Sequence, residues 1–464
     1  MQRDEVDLLV RGGMTITVDP DRRVFRQGYL AVKDGRIVGV GRDDECPFLA
    51  PTTVDASERV MLPGFVSAHS HLIGGYVRGV GADRFVNVGG SSAVMASTRL
   101  RQGMGEEACY AGARLSLLEM QHSGVTTLAD SQPAMAGKED MADGTLRAIS
   151  ESGARCLFTR ASQNRTDFLN PRYHDSTDRA LSELDRLSGR WSSDRIEVAA
   201  EAQALHRVEE DLLKALADWS RTHGVHFAMH ISYSREAAQH AVERFGRPLL
   251  LLLDDWGVLN ERFLGFHPVW LDDEEIATAG ERGAGFGYCP VDNMLIASGV
   301  APVRKLLDHD VRLGLGIDQP NDSHNFFELM KVSLLVQRVH HLDPTFGSPE
   351  LAIELGTLGG ARALHREHEI GSLEVGKMAD FILLDTRRSP LNPPTGRLSN
   401  VVLAASPAEV ESVYIGGEPV VQGGRHLRWD EDEVVREANR AMAGALALSG
   451  LGEEFAPFTS WPVL

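Results

Sequence analysis

The 464-residue chain reads as a (β/α)8 TIM barrel carrying a small β-domain built from both of its ends. Three observations lead there. Apolar, β-rich runs alternate with helical patterns through the whole middle of the chain, over 62–365. Short strands with glycine-containing turns occupy both flanks. Several of the alternating strands finish on a histidine or an aspartate.

The first flank contains VDLLVRGGMTITV and GYLAVKDGRIVGVG, with Asp34-Gly35 between two β-rich runs. Such a pair supplies the positive φ angles that a tight hairpin needs. Near the other end, ADFILLD (379–385) and VESVYIGGEPVVQGGR (410–425) have the same character. We therefore expect one β-domain over 1–61 and 366–427, and a helical tail over 428–464 with acids in its first turn. In the middle, GVTTLAD, RCLFTRAS, IEVAAEAQAL, VHFAMHIS, RFLGFH, GAGFGYCP and VRLGLGID read as strands. EEACYAGARLSLLEMQHSG, EEDLLKALADWSRTHG and SREAAQHAVERFG read as helices between them. This alternation implies right-handed βαβ units and a parallel sheet, enough of them to close a barrel, with an open doubly wound sheet as the competing architecture.

Composition narrows the partners. With 47 basic and 66 acidic residues the formal net charge is −19, which argues against nucleic acid or an anionic membrane and leaves a small neutral organic substrate open. Cys46, Cys109, Cys156 and Cys289 show no paired spacing, which suits a reducing compartment. The start, MQRDEVDLLV, lacks the apolar core of a signal peptide, and no apolar run is long enough to span a bilayer. The expected location is the cytoplasm.

Chemistry is concentrated in LPGFVSAHSHL. Residues i and i+2 of a strand share a face, so His69 and His71 aim at one point if they end a strand. At the C-terminal rim of a barrel, two converging imidazoles suit a divalent metal. His230, His267 and Asp318 close three further strands. Each alone has an ordinary use, as a core histidine, a helix cap or a turn residue. Together they make an inner rim of ligand-type groups.

On these residues, and on the closing GSLEVGKMADFILLD, the chain resembles the amidohydrolase superfamily along nearly its whole length. FHPVWLDDEEI and the stretch from YCPVDNM to VRLGLGID resemble the branch of cytosine, guanine and 8-oxoguanine deaminases and triazine hydrolases. The resemblance implies a β-sandwich flanking the barrel and one divalent ion, with zinc preferred and iron or cobalt as alternatives. It makes His69, His71, His230 and Asp318 the ligands. It places His267 beside the activated water or the substrate carbonyl, so that His267 and Asp318 become the catalytic pair. The fourth strand, IEVAAEAQAL, contains no lysine that could be carboxylated to bridge a second ion. Relatives of this kind form dimers or tetramers, so a homo-oligomer is expected.

The departures direct the functional expectation. The branch reads His-x-x-Glu on its fifth strand, whereas this chain reads His230-Ile-Ser-Tyr233, and the next acid, Glu236, is out of register. A phenol with a pKa near about 10 is a poor substitute for a carboxylate base. On the seventh strand Tyr288-Cys289-Pro290-Val291-Asp292-Asn293 replaces His-Cys-Pro-x-Ser-Asn, and Gln319-Pro320-Asn321-Asp322 follows Asp318. Loss of the fifth-strand acid is similar to phenylurea hydrolases and molinate hydrolase. The expectation is thus a metal-dependent hydrolase of a phenylurea-type C–N bond. The alternatives are a thiocarbamate hydrolase, a deaminase of a nucleobase or triazine ring, and a metal-binding barrel without catalysis. Tyr233, Tyr288, His206, Asn293 and Asp322 are the expected substrate contacts, and the glycine-rich 74–92 is expected to cover the site.

Overall fold

The computed structural model describes residues 4–78, 100–165, 173–318 and 323–450. Eight parallel strands form the central sheet: β1 (Phe65–Ser70), β2 (Val125–Pro133), β3 (Arg155–Ser162), β4 (Ile196–Ala204), β5 (Phe227–His230), β6 (Phe263–Phe266), β7 (Gly285–Tyr288) and β8 (Arg312–Leu315). They pair in chain order. The circle is completed by a parallel bridge between Ser70 and Asp318, in which the Asp318 N–H donates to His69 O at 3.0 Å and the His71 N–H to Asp318 O at 3.2 Å. The barrel is the observed architecture and the open sheet is not.

Alternation along the strands divides two apolar layers. Val66, Ala68, Ala129, Leu157, Ala199, Ala228, Leu264 and Phe266 fill the inside. Val198, Ala200, Ala202, Phe286 and Leu315 face outward into the core shared with the helices. Between strands run α1 (Glu106–His122), α2 (Asp140–Ser152), α3 (Thr177–Trp191), α4 (Glu210–His223), α5 (Arg235–Phe245), α6 (Asp273–Arg282) and the short α7 (Pro290–Leu295), and α8 (Phe326–His341) follows β8. Several start where sequence chemistry dictates: Ser176, Ser234 and Asp272 accept hydrogen bonds from N–H groups of the first turns of α3, α5 and α6.

The strand domain joins the two flanks. Phe381–Asp385 lies antiparallel to Arg59–Pro63, and through this pairing nine strands form one hydrogen-bonded sheet. Its two faces differ in partner. Met61, Phe381 and Leu383 face the domain's own apolar cluster, whereas Val60, Leu62, Ile382 and Leu384 pack into the core around the barrel. The hairpin at Asp34-Gly35 forms as expected, with φ of 50° and 72°. A helix, Glu431–Ser449, docks on α1 through Ala438 and Ala445 and the Arg114–Glu437 ion pair at 2.6 Å. All four cysteines are free, and among the described residues no helix is long and apolar enough to cross a membrane. Most of the glycine-rich 74–92, and Asp322, lie outside the described residues.

Candidate active site

Closure of the barrel assembles the site. The Ser70–Asp318 bridge sets Asp318 between the two histidines of the opening motif. Asp318 Oδ1 lies 3.4 Å from Nε2 of both His69 and His71, and Oδ2 lies 3.1 Å from His267 Nε2. His69 is the last but one residue of β1, and His71 follows the strand. The pairing of β1 with β2 slips in register between Ser67 and Ser70, the kind of irregularity that re-aims side chains at a barrel rim. His230 ends β5; its ring centroid is 4.9 Å from that of His69 and 5.4 Å from that of His71.

Two further backbone features serve the geometry. His267 and Asp318 both hold positive φ, 62° and 66°, a conformation uncommon for residues with a Cβ and concentrated at functional sites. Gly316 leaves room for His69: a Cβ there would stand 2.9 Å from the His69 Cβ and 2.9 Å from Cys289 Sγ.

Ligand-type atoms of His69, His71 and His230, and those of His69, His267 and Asp318, form two groups, each lying within 4.8 Å of one another. The donor set fits a divalent transition metal: neutral imidazoles and one carboxylate. Burial pushes the pKa of His69, His71 and His267 down to about 4 and that of His230 to about 3, so each presents a lone pair at neutral pH. Burial raises the Asp318 carboxyl, but the neighbouring imidazoles of His267 and His69 outweigh it and hold the group well below its ordinary value. Both ring nitrogens of fully buried His69 lack a well-formed hydrogen bond, an orphaned pair that a metal would satisfy on one side.

Other expected residues divide. His206 lies just after β4, and its Nε2 is 3.3 Å from the Tyr233 hydroxyl. The Tyr233 ring meets the His267 ring edge-on with centroids 6.4 Å apart, so these two side chains border the cluster. Arg207 joins them, its Nε 3.3 Å from His206 Nε2. Asn293, on α7, donates from Nδ2 to His267 Nδ1 at 3.1 Å. It therefore braces a site residue instead of reaching into open space. Tyr288 is a correction. It shares the outward register of Phe286 on β7, is 1% exposed, and its hydroxyl accepts a hydrogen bond from Gln337 of α8 at 3.1 Å. Strand alternation turns it away from the site. Glu236, on α5, is exposed and cannot stand in for an acid at Tyr233.

The sequence reading passed over Glu201. It sits on the inward register of β4, fully buried, 3.0 Å from His230 Nδ1. The signal was available: in IEVAAEAQA, Val198, Ala200 and Ala202 face outward, which leaves an acid facing in.

The chain belongs to the amidohydrolase family, which it matches over residues 60–420. Among its relatives, the 5-methylthioadenosine/S-adenosylhomocysteine deaminase 1 of Syntrophus aciditrophicus is 31% identical over 443 residues, 94% of this chain and 97% of that protein. The corresponding deaminase of Syntrophobacter fumaroxidans is 32% identical over 441 residues, again 94% and 97%. The 5'-deoxyadenosine deaminase of Methanothermobacter thermautotrophicus is 31% identical over 430 residues, 91% of this chain and 95% of that protein. A zinc-bound adenosine deaminase from Xanthomonas campestris has the same fold, with a TM-score of 0.86, 24% identity, and coverage of 96% of this chain and 100% of that one. The zinc complex of atrazine chlorohydrolase from Arthrobacter aurescens also shares it, with a TM-score of 0.85, 22% identity, and coverage of 94% and 100%. The expectation of a phenylurea hydrolase is overturned: relatives matching nearly end to end are deaminases of adenosine-type compounds. One missing glutamate outweighed a whole-chain likeness in that reading.

Proposed function

We propose that this chain is a metal-dependent deaminase of an adenosine-type nucleoside. Water adds at the carbon bearing the ring amine, the C–N bond breaks, ammonia leaves and a ring carbonyl remains. The observation that carries the reading is the end-to-end likeness, at 31% identity, to a 5-methylthioadenosine/S-adenosylhomocysteine deaminase. The convergence of His69, His71, His230, His267 and Asp318 on one point supports it.

In this reading His69, His71, His230 and Asp318 hold a single divalent ion, with zinc the first candidate. When bound, such an ion lowers the pKa of a coordinated water toward ~7. The remaining work falls to side chains. Asp318, kept ionised by its imidazole neighbours, accepts the proton that the attacking water loses and returns it to the departing amine. His267 steadies that carboxylate through Oδ2 and is itself braced by Asn293. Tyr233 stands where the branch carries glutamate, and burial raises its pKa, so the phenol stays protonated. It serves as a hydrogen-bond donor to a ring nitrogen, with His206 beside its hydroxyl.

The test is to incubate the zinc-loaded chain with adenosine, 5'-deoxyadenosine, 5'-methylthioadenosine and S-adenosylhomocysteine. Ammonia and the ultraviolet change from a 6-amino to a 6-oxo purine are followed together. Release of ammonia from at least one, abolished by chelation and restored by zinc, is the expected result. Zinc binding without ammonia from any of the four would refute the assignment.

A further inference from the structure

Glu201 is a carboxylate fully buried inside the barrel, and among the described residues its one ion-pair contact is His230. Burying a carboxylate without a cation is costly. Its hydrogen bonds are nevertheless complete. Oε1 lies 3.0 Å from His230 Nδ1 and accepts from Ser131 Oγ at 3.0 Å, and Oε2 accepts from Thr159 Oγ1 at 2.5 Å. The two hydroxyls donate to it, and the Nδ1–H tautomer of His230 would make a third donor. Ser131 has a second task, because its backbone carbonyl lies 2.5 Å from His71 Nδ1. Strands β2, β3, β4 and β5 thus contribute to one relay behind two rings. Those rings end up nearly parallel, 9° apart in plane, and Nε2 of His71 lies 3.4 Å from Asp318 Oδ1.

We infer that Glu201, anchored by Ser131 and Thr159, is a positioning residue that fixes the tautomer and orientation of His230 for metal binding. The inference rests on the metal-site reading above. Donation from Nδ1–H to a carboxylate leaves the lone pair on Nε2 and makes that nitrogen a stronger ligand. A divalent ion in front of His230 also supplies the positive charge that the buried acid otherwise lacks. Ser131 couples the two ligands, since one residue orients His71 through its carbonyl and His230 through Glu201.

Zinc affinity of the full chain, measured by competition with a chromophoric chelator, tests this without reference to turnover. Glu201→Ala is expected to weaken zinc binding about 100-fold, and Glu201→Gln, which keeps an oxygen for Nδ1–H, about 10-fold. Ser131→Ala is expected to cause a smaller loss, since Thr159 still holds the acid. Circular dichroism and the melting temperature of the metal-free variants show whether folding is preserved. Should Glu201→Ala fail to fold, Glu201→Gln and Ser131→Ala carry the same test. Folded variants that bind zinc as tightly as the unaltered chain would overturn the role of Glu201 alone. An unaltered chain that holds no zinc would overturn the metal reading, and this inference with it.

Discussion

At the floor of the barrel mouth, His69, His71, His230, His267 and Asp318 sit at or beside strand ends, and backbone pairing sets their places. At the rim, Tyr233, His206 and Arg207 occupy short turns after β5 and β4 and hold one another through side-chain contacts. The floor is over-determined: Asp318 is locked by two backbone bonds to the strand it must face, and His230 and His71 are held from behind. The rim is held within its own turns and by neighbouring loops: Arg207 O accepts from the N–H of Asn164 at 3.2 Å and of Arg165 at 3.0 Å, and none of these bonds ties a rim residue to the opening strand. Chemistry can change at such positions while the scaffold stays, and one departure from the deaminase pattern, Tyr233, falls there.

The largest expected effect comes from breaking the floor. On the proposed reading Asp318→Asn removes both an anionic ligand and the proton acceptor, so kcat should fall about 10²- to 10⁴-fold and bound zinc should drop below one per chain. Elemental analysis beside the ammonia assay checks both. Full zinc content with an unchanged rate would show that the carboxylate is a structural bridge only.

Next in size is an attempt to revert the rim. Tyr233→Glu restores the carboxylate that the branch uses, and deamination should rise up to about 100-fold if the proton path limits turnover. A lower rate, with zinc retained, would mean that the Tyr233–His206–Arg207 group has its own chemistry and that the acid's task has moved elsewhere.

Acidification probes the floor again, with the sign set by burial. The four imidazoles have pKa values of about 4 or about 3 in the fold, against an ordinary 6.5. Between those limits the unfolded chain takes up protons that the folded, metal-free chain refuses. Stability is therefore complete above 6.5 and is lost as pH falls through that window toward 4. The Asp318 carboxyl, depressed in the fold, adds to the loss at the acid end. The melting temperature of chelated protein should decline steadily over this range, and zinc affinity should decline with it as protons compete. A flat melting curve would contradict a desolvated, neutral cluster.

Much of this was legible in the sequence because it obeys period. Strand–helix alternation announced the barrel, Asp34-Gly35 announced its hairpin, and ligand-type residues at strand ends announced the floor. Three things were harder to see. The outward face of Tyr288 depends on the register of a four-residue strand, too short for its alternation to declare which side is in. Glu201 sits on a strand rich in small apolar residues, and only its inward register marks it as part of the site. The substrate class is not legible at Tyr233, because one changed side chain alters local chemistry without altering the scaffold, and relatives of nearly the same length are deaminases of adenosine-type compounds.

The two tyrosines give the smallest effect and the sharpest contrast. Tyr233 faces the His267 ring, whereas Tyr288 faces Gln337 in the layer between barrel and helices. Tyr→Phe at each position removes one hydroxyl and keeps the ring. At 233 the lost donor should lower kcat about 10-fold, the worth of one hydrogen bond of about 1.4 kcal/mol in the transition state, with little change in melting temperature. At 288 the order reverses. Gln337 Nε2 keeps its bond to Ala301 O at 3.0 Å, so stability should fall by only about 1 kcal/mol while turnover stays within about 2-fold of the parent. A large loss of turnover from Tyr288→Phe would mean that the outer layer transmits to the floor; equal, small effects from both substitutions would remove Tyr233 from the reaction and leave the floor to act without a donor at the rim.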